Sequence, residues 1–303
     1  DYFSPPGLQG RKPVNSSRRR KTMGLRINTN TASLNAQRNL MGTKLGLDKS
    51  LERLSSGLRI NRAGDDAAGL AISENLKAQI RGLKQASRNA SDGVSLVQVA
   101  EGSLNEISAL LIRLRELAVQ AASDTIGPVE RQFLNVEYDQ LVSEIDRIAD
   151  GTEFNGTQLL SGTGSILDFQ VGTRNDPNID RISFDSSKAD GNAAALGINL
   201  TSVADKASSQ NSLSAIDSAI VSVSAMRADF GAIQNRLQST ISNLAVSIEN
   251  MAAANSRIRD VDVAEESAEL TKNNILLNAG SSVLAQANQT SNVALSLLNK
   301  TFS

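Results

Sequence analysis

Residues 216–251 read IDSAIVSVSAMRADFGAIQNRLQSTISNLAVSIENM, and one feature dominates this run. An apolar residue returns at every seventh position, at Ile216, Val223, Phe230, Leu237, Leu244 and Met251. A heptad repeat keeps one narrow apolar seam facing a neighbouring helix. Because no proline interrupts the run, it predicts a long helix, from about Ser212 to Arg259, that needs a partner helix.

Three further segments share this helical spacing and supply candidate partners. The first segment contains Leu96, Ala100, Ile107, Leu110, Leu114, Leu117 and Ala121. The second, nearer the start of the chain, contains Leu47, Leu51, Leu54 and Leu58. Near the end the stripe contains Leu270, Leu277, Leu284, Leu295 and Leu298. Apolar residues three and four apart form one helix face. The sequence therefore predicts a mainly α fold, a long antiparallel helical rod in the manner of a coiled coil, closed by its own termini.

Local signals divide the helices. Gly57 ends the first helix, and Asp65 or Asp66 caps a second helix that runs to about Ser123. Gly127-Pro128 opens a third helix, because proline is tolerated in a first helical turn. Its face is expected to hold Phe133, Val136, Leu141, Ile145 and Ile148, and it ends near Gly151. Residues 259–262 form a break between the last two helices.

The middle of the chain changes period. Residues 167–171 and 179–184 alternate apolar and polar side chains, and turn residues separate them, which predicts a small β-hairpin region at about 154–185. Residues 185–211 are polar and rich in Gly, Ser and Ala, and indicate a short loop or linker.

Composition restricts the possible functions. The 303 residues include neither Cys nor His, which removes thiolate nucleophiles, Cys-ligated metals, the usual general base and the commonest zinc ligand. Only 3% of the chain is aromatic, and no apolar stretch is long enough for a membrane span. We expect no cofactor, no metal site and no membrane span.

Paired carboxylates do not change this expectation. Asp65-Asp66 and Glu265-Glu266 are adjacent, and Glu137 lies two residues from Asp139. Adjacent residues on a helix point about 100° apart and do not face one site. Helix capping and solvated surface explain these pairs, so the chain is not expected to be an enzyme.

The first 22 residues differ from the rest. They contain Arg18, Arg19, Arg20 and Lys21, with Asp1 as the single acidic residue. We expect a basic, disordered extension, with Met23 as the start of the folded protein. A nucleic-acid or lipid patch is the alternative for this extension. No nucleic-acid partner is expected for the rest of the chain.

Two motifs resemble the signatures of bacterial flagellins. SLERLSSGLRIN at residues 50–61, with DDAAG at 65–69, is similar to the N-terminal signature. RADFGAIQNRL at 227–237 and ANSRIRD at 254–260, followed by QAN at 286–288, are similar to the C-terminal signature. The resemblance covers residue 23 to about residue 302. Long motifs at both ends in the correct order are far more specific than one short pattern.

The resemblance implies a structural subunit that polymerises into the extracellular flagellar filament for swimming motility. It implies a terminal two-helix coiled coil, at 23–65 and 265–303, and a helical rod domain at 66–264. Its implied assembly residues are Leu47, Leu51, Leu54, Leu58, Leu277, Leu284, Leu295 and Leu298. Because 185–211 is too short for an independent domain, the chain is expected to be a minimal flagellin without outer domains.

The resemblance also implies partners. These are other copies of the chain, an export chaperone of the flagellar type III apparatus, and the hook–filament junction and cap proteins. Residues 111–120 resemble the segment that contacts the vertebrate flagellin-sensing Toll-like receptor, with Arg113, Leu117 and Glu137 at the matching positions. Ile112 departs from the Gln that is usual there. A hook–filament junction protein of the same organelle is the alternative function.

Overall fold

The computed structural model describes residues 29–300, and side chains as far as residue 289. The predictions for residues 1–22, including the basic segment, lie outside the described residues. The chain divides into two compact units at the Arg59–Ile60 and Asp260–Val261 boundaries. We name them the terminal unit, which holds the helices before and after these boundaries, and the central unit, residues 60–260.

The terminal unit is a pair of antiparallel helices, α1 (Thr31–Ser56) and α5 (Val263–Lys300). Asn30 caps α1 by accepting a hydrogen bond from the Ser33 backbone N–H at 3.0 Å. Gly57 ends α1 with φ of 71°, a left-handed conformation that glycine adopts without a steric penalty. Asp262 caps α5, because its Oδ1 accepts from the Ala264 N–H at 2.8 Å. The predicted terminal helix pair is confirmed.

The central unit is built on two long antiparallel helices, α2 (Ala67–Ala121) and α4 (Lys206–Arg259), with α3 (Pro128–Gly151) packed on α2. Asp66, one of the two predicted caps, accepts from the Gly69 N–H at 2.8 Å and starts α2. The mainly α fold class predicted from the heptads, with its long antiparallel helices, is therefore confirmed.

Four short strands form two hairpins beside these helices. The first joins β1 (Glu153–Phe154) to β2 (Thr157–Gln158) through Asn155 and Gly156, which both have positive φ. Positive φ at both central residues is the requirement of a type I′ turn, and Asn-Gly satisfies it. The second pairs β3 (Ile166–Gln170) with β4 (Arg181–Asp185) in antiparallel register, as the alternating pattern predicted.

The core of the central unit lies between α2, α3, α4 and the second hairpin. The largest fully buried side chains include Leu104, Ile107, Leu111, Leu114, Tyr138, Ile145 and Phe230. Tyr138 places its hydroxyl 2.5 Å from Thr201 Oγ1, and burial raises the pKa of its phenol. This bond ties α3 to the segment that precedes α4.

Two sequence-based expectations differ from the structure. The helix α4 begins at Lys206 instead of Ser212, and residues 186–205 form a partly buried strap, with Ala193, Ile198 and Val203 fully covered. The strap satisfies its backbone with side chains: Ala193 N–H donates to Asp146 Oδ1 at 2.7 Å, and Val203 N–H donates to Asn135 Oδ1 at 2.9 Å. Buried backbone groups need hydrogen-bond partners, and here side chains of α3 supply them. The polar composition of the segment did not indicate this packing.

The outer face of α3 is the second difference. Phe133 and Val136, expected on its packing face, are 70% and 62% exposed, and Val129 beside them is 61% exposed. Ile145 of the predicted face is buried, and the helix also buries Tyr138 and Ala149.

Candidate assembly surfaces

The terminal unit buries small and polar residues between its two helices. The residues that it covers most are Ser33, Ala36, Ser50, Glu266, Asn273 and Ala287. Several of them are joined by hydrogen bonds: Ser33 Oγ donates to Asn288 Oδ1 at 2.9 Å, and Asn30 Nδ2 donates to the Ala287 carbonyl at 2.7 Å. These most covered positions contribute little apolar burial to the helix pair.

An ion pair crosses the same interface. Arg53 Nη1 lies 3.2 Å from Glu266 Oε2, and the Glu266 side chain is only 10% exposed. Closer to the middle of the pair, a Cβ added at Gly46 would lie 3.2 Å from Asn273 Nδ2. Glycine thus lets α1 approach the Asn273 amide closely. The two helices therefore contact through polar and small groups as well as half-buried leucine side chains.

The large apolar residues of the terminal unit face outward. On α1 they are Leu34, Met41, Leu45 and Leu51, exposed by 53%, 71%, 71% and 50%. On α5, apart from Val263 at its first position, they are Ile275, Leu276 and Val283, exposed by 62%, 46% and 59%. A soluble helix pair normally places such residues inside. For these residues the distribution is inverted, which makes the outward face a candidate contact surface. We name these seven residues the terminal stripe.

The predicted terminal leucines are distributed differently. Leu51 is part of the terminal stripe, whereas the others described are half-buried: Leu47, Leu54, Leu58, Leu277 and Leu284. For Leu295 and Leu298 the structure describes only a helical backbone, so their side chains lie outside the description. Six members of the terminal stripe were missed from sequence. Seven-residue spacing from Leu34 to Met41 and from Leu276 to Val283 was the available signal.

The predicted heptad seam lies inside the central unit. Ile216, Val223, Phe230, Leu237 and Leu244 are buried, and Met251 is half-buried beside Leu244. Along most of its length the seam faces α2, and at Phe230 it also meets the second hairpin. The seam from Ile216 to Leu237 belongs to the main core, whereas Leu244 and Met251 belong to a second, smaller cluster on α2 and α4.

The three predicted receptor-contact residues occupy neighbouring positions on α2 and α3. Arg113 Nη2 lies 2.7 Å from Glu137 Oε1 and Arg113 Nη1 lies 3.0 Å from Glu116 Oε2. Hydrogen bonding to Glu137, and then to Glu116, raises the pKa of the Arg113 guanidinium. Both Arg113 and Glu137 are exposed, whereas Leu117 is 1% exposed and packs in the core beneath them.

The acidic residues considered for catalysis are not grouped as a catalytic site in the described part of the chain. Asp65 Oδ2 accepts from the backbone N–H groups of Asn61 and Arg62, and Asp66 caps α2. Among residues 29–300, no group of three or more acidic side chains is arranged to hold a metal ion. None of the helices described here is long and apolar enough to cross a membrane.

Comparison with known proteins gives two family matches. The description of the first is bacterial flagellin N-terminal helical region, over residues 27–165. The description of the second is bacterial flagellin C-terminal helical region, over residues 213–298. The chain is 49% identical over 273 residues to a flagellin of Halalkalibacterium halodurans, a match that covers 90% of this chain and 99% of that one.

Two further relatives extend this result. The flagellar filament 33 kDa core protein of Treponema phagedenis is 44% identical over 288 residues, covering 90% of this chain and 99% of the relative. A solved structure from Vibrio parahaemolyticus, described as a flagellar hook-associated protein, covers 65% of this chain and 100% of its own, with a TM-score of 0.54. At 15% identity, that likeness concerns the fold alone.

Proposed function

We propose how copies of this chain assemble, from the premise that the chain belongs to the bacterial flagellin family. It is a structural subunit of the flagellar filament, and its place is outside the cell. The proposal is that the terminal unit is completed by neighbouring copies, which cover the terminal stripe.

The inverted burial of the terminal unit carries this proposal. Its interior holds Ser33, Ser50 and Asn273, whereas Met41 and Leu45 are each 71% exposed. Burying one Leu or Met side chain stabilises by roughly 1.5–3 kcal/mol, and a lone helix pair does not obtain this gain from the stripe. Ordering the backbone costs about 1–2 kcal/mol per residue. Contacts between copies therefore supply the burial that one copy lacks.

A charge substitution on the terminal stripe tests the proposal. In the variant Met41→Lys/Leu45→Lys, two lysines must be buried in the contact, so the purified chain should form no filaments by electron microscopy. The matched control is Asn35→Lys/Gln37→Lys, which adds the same charge at exposed polar positions of α1. The control should polymerise like the unaltered chain. Normal filaments from the stripe variant would disprove this assembly surface.

The terminal stripe also supports a proposal about partners before assembly. Ile275, Leu276 and Val283 expose apolar surface on α5 in a single copy, and such surface promotes aggregation when it is uncovered. We propose that an export chaperone covers α5 until the chain leaves through the flagellar type III apparatus. The hook–filament junction and cap proteins are then its first and last neighbours in the filament. Co-purification of the chaperone with the unaltered chain, but not with Ile275→Asp/Leu276→Asp, would support this order.

Recognition by the vertebrate flagellin-sensing Toll-like receptor is a separate proposal. Arg113 and Glu137 form an exposed ion pair across α2 and α3, whereas Leu117 is buried in the core of the central unit. We propose that the receptor reads the charged pair and that Leu117 only positions it. Arg113→Ala should weaken receptor binding by the monomer, whereas Glu106→Ala, at another exposed position of α2, should not. If both variants bind the receptor equally well, the assignment of the charged pair as the receptor contact is wrong.

We infer that the subunit is not an enzyme. The sequence has neither Cys nor His, and Asp65 and Asp66 are engaged in helix capping and local turns. No observation favours the alternative of a hook–filament junction protein, because the hook-associated structure shares the fold at only 15% identity.

A further inference from the structure

The readily oxidised side chains of this protein belong to one residue type. The sequence has neither Cys nor Trp and no His, whereas it contains Met23, Met41, Met226 and Met251. A peroxide oxidises the methionine thioether to a sulfoxide, and solvent exposure favours the reaction. Mild oxidation of this chain is therefore expected to act first on its accessible methionines.

The methionines that the structure describes differ in their exposure. Met41 of α1 is 71% exposed. Met226 and Met251 of α4 are half-buried, the first against the main core and the second against the smaller cluster. A Cβ added at Gly42, beside Met41, would meet no atom within 4 Å, so the neighbouring surface is open too. Among residues 29–289, Met41 is thus the methionine that a dissolved oxidant reaches most easily.

Met41 also lies in the middle of the α1 part of the terminal stripe. Leu34 stands seven residues before it and Leu45 four residues after it, so the three side chains share one face of the helix. Leu34 and Leu45 are 53% and 71% exposed. The proposed function places this face against a neighbouring copy. In its thioether form, Met41 adds flexible apolar surface to that contact.

Oxidation reverses the chemical character of this position. The peroxide transfers one oxygen atom to Met41 Sδ: its O–O bond breaks, an S=O bond forms, the sulfur loses two electrons, and hydrogen peroxide is reduced to water. The sulfoxide is polar and accepts hydrogen bonds. Burying a polar group in an apolar contact without a hydrogen-bond partner is unfavourable. Oxidised Met41 therefore opposes the contact that the thioether favours.

We propose that Met41 is a redox-sensitive modification site whose sulfoxide prevents the terminal stripe from binding a neighbouring copy. This inference rests on the proposed function and adds a means of regulating the same surface. Once the contact has formed, the neighbouring copy covers the thioether and protects it. A free subunit is thus sensitive to peroxide, whereas an assembled subunit is resistant. A methionine sulfoxide reductase reverses the change by oxidising two thiols to a disulfide and releasing water.

Polymerisation after treatment with hydrogen peroxide tests the site. The purified full-length monomer is oxidised, the peroxide is removed, and peptide mass spectrometry measures the sulfoxide at each methionine. The critical concentration for polymerisation should rise about tenfold or more. Met41→Leu, which conserves side-chain volume, should polymerise normally and keep its critical concentration after the same treatment. The matched control, Met226→Leu/Met251→Leu, retains Met41 and should lose assembly on oxidation like the unaltered chain.

A competition within one sample provides a readout that needs no variant. When a partly oxidised preparation polymerises, Met41 sulfoxide should be depleted from the filaments and enriched in the unpolymerised fraction. Treatment of that fraction with a methionine sulfoxide reductase and dithiothreitol should restore its polymerisation. Finished filaments exposed to the same peroxide should acquire little sulfoxide at Met41. Thermal unfolding of the oxidised monomer verifies that its central unit is still folded.

Equal proportions of Met41 sulfoxide in the filaments and in the unpolymerised fraction would overturn the inference. So would loss of polymerisation in peroxide-treated Met41→Leu, because another residue would then be responsible. If Met41→Lys/Leu45→Lys forms no filaments whereas Met41 sulfoxide enters filaments freely, the proposed function stands and this inference alone is rejected. Normal filaments from Met41→Lys/Leu45→Lys would instead reject the proposed function itself.

Discussion

The rings of Phe184 on β4 and Phe230 on α4 lie with their centroids 4.8 Å apart at an interplanar angle of 40°. Both side chains are almost fully buried, at 5% and 1% exposure. Tilted aromatic pairs at this distance contribute stability beyond their buried area. The pair therefore joins the second hairpin to the heptad seam of the central unit.

Phe230→Ala should destabilise the central unit by about 3–5 kcal/mol, because it removes a buried ring and leaves a cavity. Chemical unfolding of the full chain as a monomer measures the change. Val221→Ala, on the same helix but at a position 68% exposed, is the control and should change the free energy by less than about 0.5 kcal/mol. A loss under about 1 kcal/mol for Phe230→Ala would show that the seam is not the core.

Hydrogen exchange should distinguish the two units. In the monomer we expect α1 and α5 to exchange much faster than α2 and α4, because the terminal unit has a small and polar interior. In the filament the same amides should become protected, since neighbouring copies cover the terminal stripe. Mass spectrometry of monomer and polymer provides the comparison. Slow exchange of α1 and α5 in a verified monomer would contradict the prediction.

Removal of residues 279–303 should abolish filaments without unfolding the central unit. The truncation removes Val283 from the terminal stripe and the Ala287–Asn30 hydrogen bond from the helix pair. None of the central unit's residues is deleted, so its melting temperature should stay the same. Electron microscopy and calorimetry of the same preparation test both statements. Normal filaments from the truncated chain would reject the role assigned to α5.

Two glycine substitutions should have opposite effects. A Cβ at Gly172 would collide with the Asp180 carboxylate, which is buried in the loop after β3, so Gly172→Ala should cost about 1–3 kcal/mol. Gly102 lies inside α2 with nothing within 4 Å of an added Cβ. Gly102→Ala should stabilise by about 0.5–1 kcal/mol, because alanine favours the helix. Denaturant midpoints measure both changes in stability. Changes of the same sign in the two variants would refute the packing described for the loop.

The Glu74–Arg259 ion pair predicts a pH dependence. Hydrogen bonding to Arg259 lowers the pKa of the Glu74 carboxyl from its ordinary value of 4.5. A lowered folded-state pKa stabilises the fold above the unfolded value, and this contribution is lost as pH falls through the folded value. The stability advantage over Glu74→Gln should therefore be present at neutral pH and shrink below pH 4.5. Glu106→Gln, at an exposed carboxylate without an ion pair in the described chain, should show no such trend.

Periodic segments were predictable because their signal is local. Heptads at 216–251 and the stripe from Leu96 to Ala121 repeat often enough to define helices, and the alternation at 167–171 defined a strand. Caps were also local: Asp66 and Gly57 act within a few residues of themselves. The strap at 186–205 was not predictable, because the groups that satisfy its backbone, Asp146 and Asn135, are distant in sequence.

The sequence by itself determined the helices, the hairpins and the family, since periodicity, turn residues and motifs are local features of the sequence. Only the tertiary structure decided which apolar residues are buried. Leu34 and Met41 share the spacing of core residues, yet they face outward because α1 meets α5 through Ser33, Gly46 and Ser50. Spacing defines a helix face, but the face that is covered depends on where the partner helix packs. The position of that partner is a long-range property that no local pattern contains.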